Sequence, residues 1–311
     1  MNNFVYASDK NYNKQLYYSI NSLLENIDTK VTIYVIHKEP ESFSNFKYRL
    51  NQKYRETEIC VYEFNKHNIN FPNIENSHVS EATYYRIFAE KFLPKEVTFY
   101  TYLDADIICI NNPILYLNAI INEMKAKKYN IACNTEFNRT QNSEAMFDRL
   151  KMTSTRYFNA GVMIVNNESW IANNTTEKLI EKLRELKNNI KYWDQDVLNS
   201  FFNGDYLEIS NNLNYQINLL NSFDLHEIEE KGIFLHYQSS NKPWTIQGCF
   251  NNASSFYQAS ALKNSGNYHL VKTLRRFDLT HLIKNTMNLK FKFLINKSKF
   301  YKESINVILG L

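Results

Sequence analysis

Short apolar runs separated by polar breaks order the first sixty positions into alternating elements. Phe4-Val5-Tyr6-Ala7 is a strand that ends at polar Ser8-Asp9. Asn13 to Asn26 carries Leu16, Tyr17, Ile20, Leu23 and Leu24 at helical spacing. Val31 to Ile36 is a β-branched run and so the next strand, Glu41 to Tyr54 suits a helix, and Glu58 to Tyr62 makes a third strand. Strand, helix, strand, helix, strand predicts an α/β fold with a parallel sheet and helices on both faces. Ligands of such sheets sit beyond the carboxyl ends of the strands. Ser8-Asp9-Lys10-Asn11-Tyr12 lies at such an end.

The pattern continues with a helix over Ser80–Phe92, which contains Arg86 and is closed by Pro94, and then a strand over Phe99–Ile110. Ile131–Cys133 and Gly161–Val165 are further strands, and Thr176–Asn188 is an amphipathic helix with opposite charges at helical spacing. Asp194-Gln195-Asp196 opens a short helix, Val197–Phe202, where acids can serve as caps. The Phe99–Ile110 strand is unusual in carrying Asp104 and Asp106. In an extended segment residues i and i+2 share a face, and the repulsion of two such carboxylates favours a divalent cation or a shared proton. Mg- or Mn-type ions suit hard oxygen ligands and borrow more from substrate phosphates. Taken alone, the pair is better explained by an edge strand or turn whose acids face water.

Composition narrows the alternatives. The 311 residues suffice for one large α/β domain or a domain plus an appendage, and 22 Tyr and 21 Phe supply its core. Neither G-x-G-x-x-G nor G-x-x-x-x-G-K-[ST] occurs, so a bound nucleotide must be held without a glycine-rich phosphate cradle. Cys60, Cys109, Cys133 and Cys249 show no C-x-x-C spacing; reduced thiols and a cytoplasmic protein are expected. The N-terminal residues show no signal peptide, and no membrane span is evident. Net charge is +4, but nine of the 36 Lys/Arg and only two of the 32 acids lie from Gly266 to Leu311, which leaves −3 for the rest. Beyond Gly266 the apolar Tyr268, Leu270, Leu274, Phe277, Leu279, Leu282 and Ile283 alternate with Lys272, Arg275, Arg276 and Lys284. Such a stretch lies on an anionic membrane surface, packs on a partner, or folds back on its own domain. No groove-reading motif accompanies it, so nucleic acid is not an expected partner.

Four segments accompany the carboxylate strand: Ala7-Ser-Asp9-Lys-Asn11-Tyr12; Ala82-Thr-Tyr-Tyr-Arg86; Tyr157-Phe-Asn159-Ala-Gly161 with Trp193-Asp194-Gln195-Asp196; and His236-Tyr-Gln-Ser-Ser-Asn-Lys242-Pro-Trp244. In order, spacing and content residues 1–250 resemble the retaining glycosyltransferases of family 8, within it most of all bacterial lipooligosaccharide galactosyltransferases. The resemblance implies a GT-A fold, and the composition shift at Asn264-Ser-Gly266-Asn sets its bounds at 1–265, with 266–311 as a basic helical appendage. It implies metal ligation by Asp104, Asp106 and His236. Two carboxylates and an imidazole suit Mn better than Mg, though Mg is possible. It also implies a UDP-hexose donor, galactose before glucose. Asp9, Asn11 and Tyr12 would meet the uridine, Lys242 the phosphates, and Arg86, Asp104, Asn159, Asp194 and Gln195 the sugar, with Ala7, Ser8, Ala105, Asp106 and Ser239 also in the donor site. Ser239 stands where the family motif usually has Gly, so a close backbone approach must be made with a side chain present.

By the same resemblance, His78, Tyr192 and Gln238 would contact an oligosaccharide or lipid-linked acceptor. Asn134-Thr-Glu136 follows a strand end that carries an acid in those relatives, and a loop between His67 and His78 could close over the donor. A cytoplasmic enzyme, peripheral on the inner face of the plasma membrane, would reach such an acceptor. Gln195 occupies the position of a nucleophile but is an amide. That leaves front-side displacement, with Gln195 steadying the reacting centre, or double displacement through Asp194 or Asp196. Two other classes compete: a D-x-D-x-T phosphatase, whose Thr is missing after Asp106, and a non-catalytic sugar-nucleotide binder on the same fold.

Overall fold

The computed structural model describes residues 2–65, 71, 80–238, 240–271, 302, 303 and 305–307. The chain forms two compact units, one from residues 1–17, 27–105 and 113–213, the other from 18–26, 106–112 and 214–311. The first contains seven strands: β1 (Asn2–Ser8), β2 (Val31–His37), β3 (Glu58–Glu63), β4 (Phe99–Leu103), β6 (Ile131–Asn138), β7 (Arg156–Asn166) and β8 (Leu207–Glu208). They lie in the order β3-β2-β1-β4-β7-β6-β8. All neighbours are parallel except β7, which runs antiparallel to both β4 and β6.

The unbroken apolar character of β1 and β2 follows from cover on both faces. Val5, Ala7, Tyr34 and Ile36 join a core with Tyr84, Tyr85, Phe88, Trp170, Leu179 and Phe202 from the helical segments. Phe4, Tyr6, Ile33 and Val35, alternating with them along the strands, are equally buried. Trp170 and Ile87 are tied through Thr176, whose hydroxyl accepts from the indole at 3.0 Å and donates to the Ile87 carbonyl at 2.9 Å.

Two expectations are corrected. The helix expected over Ser80–Phe92 is an 11-residue 3-10 helix, Glu81–Lys91, with the Ser80 hydroxyl capping the Ala82 N–H. The strand expected over Phe99–Ile110 is two. β4 ends at Leu103, Asp104-Ala105-Asp106 makes a turn, and Ile107–Cys109 is β5 of a different sheet. β4 is flanked by β1 and β7, and two carboxylates continued into such a setting would be buried without compensation. The last backbone bond before the turn runs from Asp104 N–H to the Gly161 carbonyl, at 2.9 Å.

The second unit holds β5, β9 (Tyr215–Ile217) and β10 (Phe234–Tyr237) in the order β5-β10-β9, antiparallel then parallel. Its helix Ser255–Ser265 ends at Gly266, whose φ of 75° is the left-handed cap that glycine adopts without strain. The chain does not leave the unit there. His269 is buried with Nδ1 2.6 Å from Tyr257 Oη, and the Val271 N–H donates to the Trp244 carbonyl at 2.7 Å. The basic stretch from Lys272 onward lies, but for residues 302, 303 and 305–307, outside the described residues. Among those described, no helix is long and apolar enough to cross a membrane. Cys60, Cys109, Cys133 and Cys249 are all free thiols.

Candidate active site

In the first unit, elements distant in sequence converge on Arg86. Its Nη2 lies 2.9 Å from Asp104 Oδ1 and its Nε 2.7 Å from Asp194 Oδ2. The same fork reaches the Thr83 carbonyl at 3.0 Å, the Thr83 hydroxyl at 2.9 Å and the Ala160 carbonyl, while its plane lies 4.4 Å over the Tyr102 ring. Every guanidinium nitrogen therefore already meets a protein oxygen. In the structure Arg86, expected from the sequence beside a sugar, is the buried fork that positions Asp104 and Asp194. Thr83, one turn ahead of Arg86, hydrogen-bonds Asp194 Oδ1 and completes the clamp. Asp104 Oδ1 also accepts from Tyr102 Oη at 2.8 Å. Sequence reading missed Thr83 and Tyr102, although the i−3 and i−2 spacings could have pointed to them.

The helix Trp193–Phe202 delivers Asp194 and Gln195 from its first turn. Trp193 enters it at φ 46°, a left-handed conformation strained for a bulky residue. Burial pushes the Asp194 carboxyl up to about 6, with Arg86 and the Thr83 hydroxyl pulling against it. Gln195 is fixed at both ends of its amide. Oε1 accepts the Ala160 N–H at 3.0 Å, and Nε2 donates to Glu136 Oε2 at 2.9 Å. Glu136 also accepts from Asn159 Nδ2 at 3.1 Å, and Asn159 Oδ1 accepts the Gly161 N–H at 2.9 Å. The acid read from sequence only as lying near the acceptor side thus organises the amide pair.

Asp196 does something else. It takes the Lys191 and Tyr192 N–H groups at 2.7 and 2.9 Å, Arg149 Nη1 at 2.9 Å and Tyr157 Oη at 2.8 Å. It holds the approach to the helix rather than capping its interior, and both of its oxygens accept hydrogen bonds. At the end of β1, Ala7, Ser8 and Asp9 are buried, and Asp9 Oδ1 accepts the Asn11 N–H at 2.8 Å to cap the turn Lys10–Tyr12. Asn11 is exposed and Tyr12 partly so, at the strand end where the sheet predicts a ligand.

Asp106, His236 and Lys242 lie in the second unit. Lys242 Nζ lies 2.7 Å from Asp106 Oδ2 and donates to the Tyr237 carbonyl. His236 Nε2 stands 3.6 Å from Asp106 Oδ1. Burial opposes ionisation of Asp106, but Lys242 and His236 outweigh it and hold the carboxyl below its ordinary value. Asn214 Oδ1 lies 3.1 Å from His236 Nδ1, which orients the ring with Nε2 toward Asp106. Asp106 Oδ1 is buried and accepts no hydrogen bond. One oxygen each from Asp104 and Asp106 and one nitrogen of His236 lie within 4.8 Å of one another. A buried carboxylate oxygen that accepts no hydrogen bond, beside a second carboxylate and an imidazole nitrogen, is the donor set a divalent cation fits.

Tyr192 is half-exposed, and the Gln238 N–H donates to the Ile217 carbonyl at 2.9 Å. His78, Ser239 and the His67–His78 loop lie outside the described residues.

The mostly parallel sheet, its single reversed strand and the acidic turn after β4 define a GT-A glycosyltransferase. The chain belongs to glycosyl transferase family 8, which it matches over residues 3–248. It is 27% identical over 297 residues to a lipopolysaccharide 1,3-galactosyltransferase of Salmonella typhimurium, with 93% of this chain and 86% of the relative covered. It is 25% identical over 321 residues to a lipopolysaccharide 1,2-glucosyltransferase of Escherichia coli, covering 96% and 87%. Among solved structures, the galactosyltransferase LgtC with donor and acceptor sugar analogues superposes with a TM-score of 0.68 at 17% identity, over 88% of this chain and 98% of that one, a likeness of fold. The chain is a glycosyltransferase, and the phosphatase reading falls.

Proposed function

We propose that this enzyme transfers a hexose, galactose first and glucose next, with retention from a UDP-sugar to a saccharide acceptor of a cell-surface glycan such as lipooligosaccharide. The observation that carries the reading is the Asp104, Asp106 and His236 group, with Asp104 also held in the Arg86–Asp194 clamp. Relatives named for lipopolysaccharide galactosyl and glucosyl transfer support the substrate class. Asp104, Asp106 and His236 would hold a divalent cation, Mn before Mg, which supplies Lewis-acid stabilisation of the leaving diphosphate. Lys242, already beside Asp106, adds a positive charge there; Ser239 is assigned to the phosphates from the sequence alone. Asp9, Asn11 and Tyr12, with Ala7, Ser8 and Ala105, take the uridine.

Asp104, Asp194 and Asn159 bond hydroxyls of the donor hexose, with Arg86 beside the two acids. Fixed acceptors of this kind reject an epimer by leaving a buried group unpaired. Gln195, locked between Ala160 and Glu136, is a poor nucleophile but a rigid dipole, which favours front-side attack with the departing phosphate taking the acceptor proton. Tyr192 and Gln238, with His78 from the sequence alone, are assigned to the acceptor. UDP release from UDP-galactose and UDP-glucose, with and without saccharides, tests the reading. Release should cease in EDTA, return with Mn and rise with acceptor; equal rates in EDTA would remove the metal from the scheme.

A further inference from the structure

Beside the Gln195 cluster, within the first unit, lies a second concavity of about 480 Å³, lined by the connection after β6 and the approach to the helix Trp193–Phe202. Two aromatic side chains line it, Phe137 and Tyr192, and they are 38% and 47% exposed. The rest of the lining is mixed: Asn142, Met146, Arg149 and Lys191. Exposed aromatics gathered at one hollow are informative where scattered ones are not.

The hollow is built in advance. The Ser143 hydroxyl donates to the Asn138 carbonyl at 2.7 Å and accepts the Thr140 N–H at 2.8 Å, which closes the turn after β6. The Arg139 N–H donates to the Thr155 carbonyl at 2.8 Å. On the other side, one oxygen of Asp196 holds Arg149 and the backbone of Lys191 and Tyr192 together. Rigid walls of this kind reduce the ordering cost of binding.

It is also continuous with the cluster that faces the reaction. Phe137 directly follows Glu136, the acceptor for the Gln195 amide. Pairing of β6 with β7 passes from Thr135↔Phe158 to Phe137↔Tyr157, so Glu136 is the extra residue of a bulge. Bulges re-aim side chains next to active sites, and here they let consecutive residues serve two adjoining places. Tyr157 joins them, its ring 5.8 Å from Phe137 and its hydroxyl 3.4 Å from Gln195 Nε2.

We propose that this concavity binds the acceptor saccharide one residue beyond the sugar that receives the hexose. The inference rests on the transferase reading above. A pyranose presents an apolar face of C–H groups and a rim of hydroxyls, the complement of the Phe137 ring beside Asn142 and Lys191. An acyl chain would need a wholly apolar wall, and a phosphate would find Arg149 already committed to Asp196.

The test compares UDP release and transfer by the full chain with methyl galactoside and methyl glucoside and with their β-linked di- and trisaccharides. For the wild type, KM should fall on going from one residue to two. Phe137→Ala should remove most of that gain, a change in the KM ratio of about five- to tenfold, and Phe137→Trp should restore it. Absence of UDP release from any UDP-hexose by the wild type overturns the transferase reading itself. Normal release with no gain from the second residue, or a Phe137→Ala effect equal for short and long acceptors, overturns the subsite alone.

Discussion

Asp104 stands in two networks at once, within reach of Asp106 and His236 and held by Arg86 and Tyr102. Asp104→Asn removes a charge from both. It should lower kcat/KM by about a thousandfold or more, the scale on which loss of an electrostatic group at a reacting centre is felt. Gln195→Ala should cost roughly a hundredfold and leave measurable transfer, because its carbonyl orients rather than bonds. Complete loss in that variant, with a glycosyl adduct recovered on Asp194, would sink front-side attack. Asp194 supplies a pH signature. Its carboxyl titrates near 6, above the ordinary 3.8, so the folded state binds more protons than the unfolded one between those values. The contribution to stability is therefore present below the ordinary range and lost as pH rises through about 6. Catalysis needs the ionised form to accept a sugar hydroxyl, so kcat/KM should fall on the acid side with an apparent value near 6. Asp194→Asn, assayed across the same range, should lose that limb along with most of its activity.

Elements show where sequence reading succeeds and where it stops. β1, β2 and β3 were legible because strands buried on both faces read as continuous apolar runs. The 3-10 geometry of Glu81–Lys91 was not, since one apolar face repeats at nearly the same interval in either helix. Nor was the break at Asp104-Ala105-Asp106: the i, i+2 rule assumes that the strand continues, and the switch to β5 depends on β10, far along the chain. Arg86 was legible as a candidate, but its pairing with Asp194 and Ala160 was not, because both reach it only through the fold. The segment after β10 carries a requirement of the same kind. A Cβ on Gly248 would lie 2.1 Å from the Lys242 carbonyl oxygen and 2.8 Å from its carbon, backbone atoms that cannot swing away. Gly248→Ala must shift the backbone that presents Lys242 to Asp106. It should lower the unfolding free energy in urea by about 1–3 kcal/mol and raise the Mn concentration needed for half-maximal UDP release. Unchanged values of both would show that the segment relaxes without moving Lys242.

At the scale of the whole molecule, charge is the property still to be placed. Residues from Gly266 onward carry +7, against −3 for the rest. Two of the three readings of that stretch, membrane surface and packing on its own domain, meet at its first residues. His269 is buried against Tyr257, and Val271 bonds to Trp244, so 267–271 behave as part of the second unit. A boundary drawn at Gly266 from composition would cut through that contact. The informative truncation therefore ends at Val271 and removes Lys272 to Leu311, which holds all nine of the cations and both acids. Each Lys or Arg near an anionic leaflet is worth about 1 kcal/mol, enough together for salt-sensitive binding. The full chain should sediment with vesicles containing anionic phospholipid at low ionic strength, and much less with neutral vesicles or in high salt. The chain ending at Val271 should remain in the supernatant while releasing UDP from the same donor at a similar kcat, because none of the residues assigned to donor or metal lies in the deleted segment. Equal sedimentation of the two forms would assign the basic stretch to packing against the protein and move any membrane contact elsewhere on the surface.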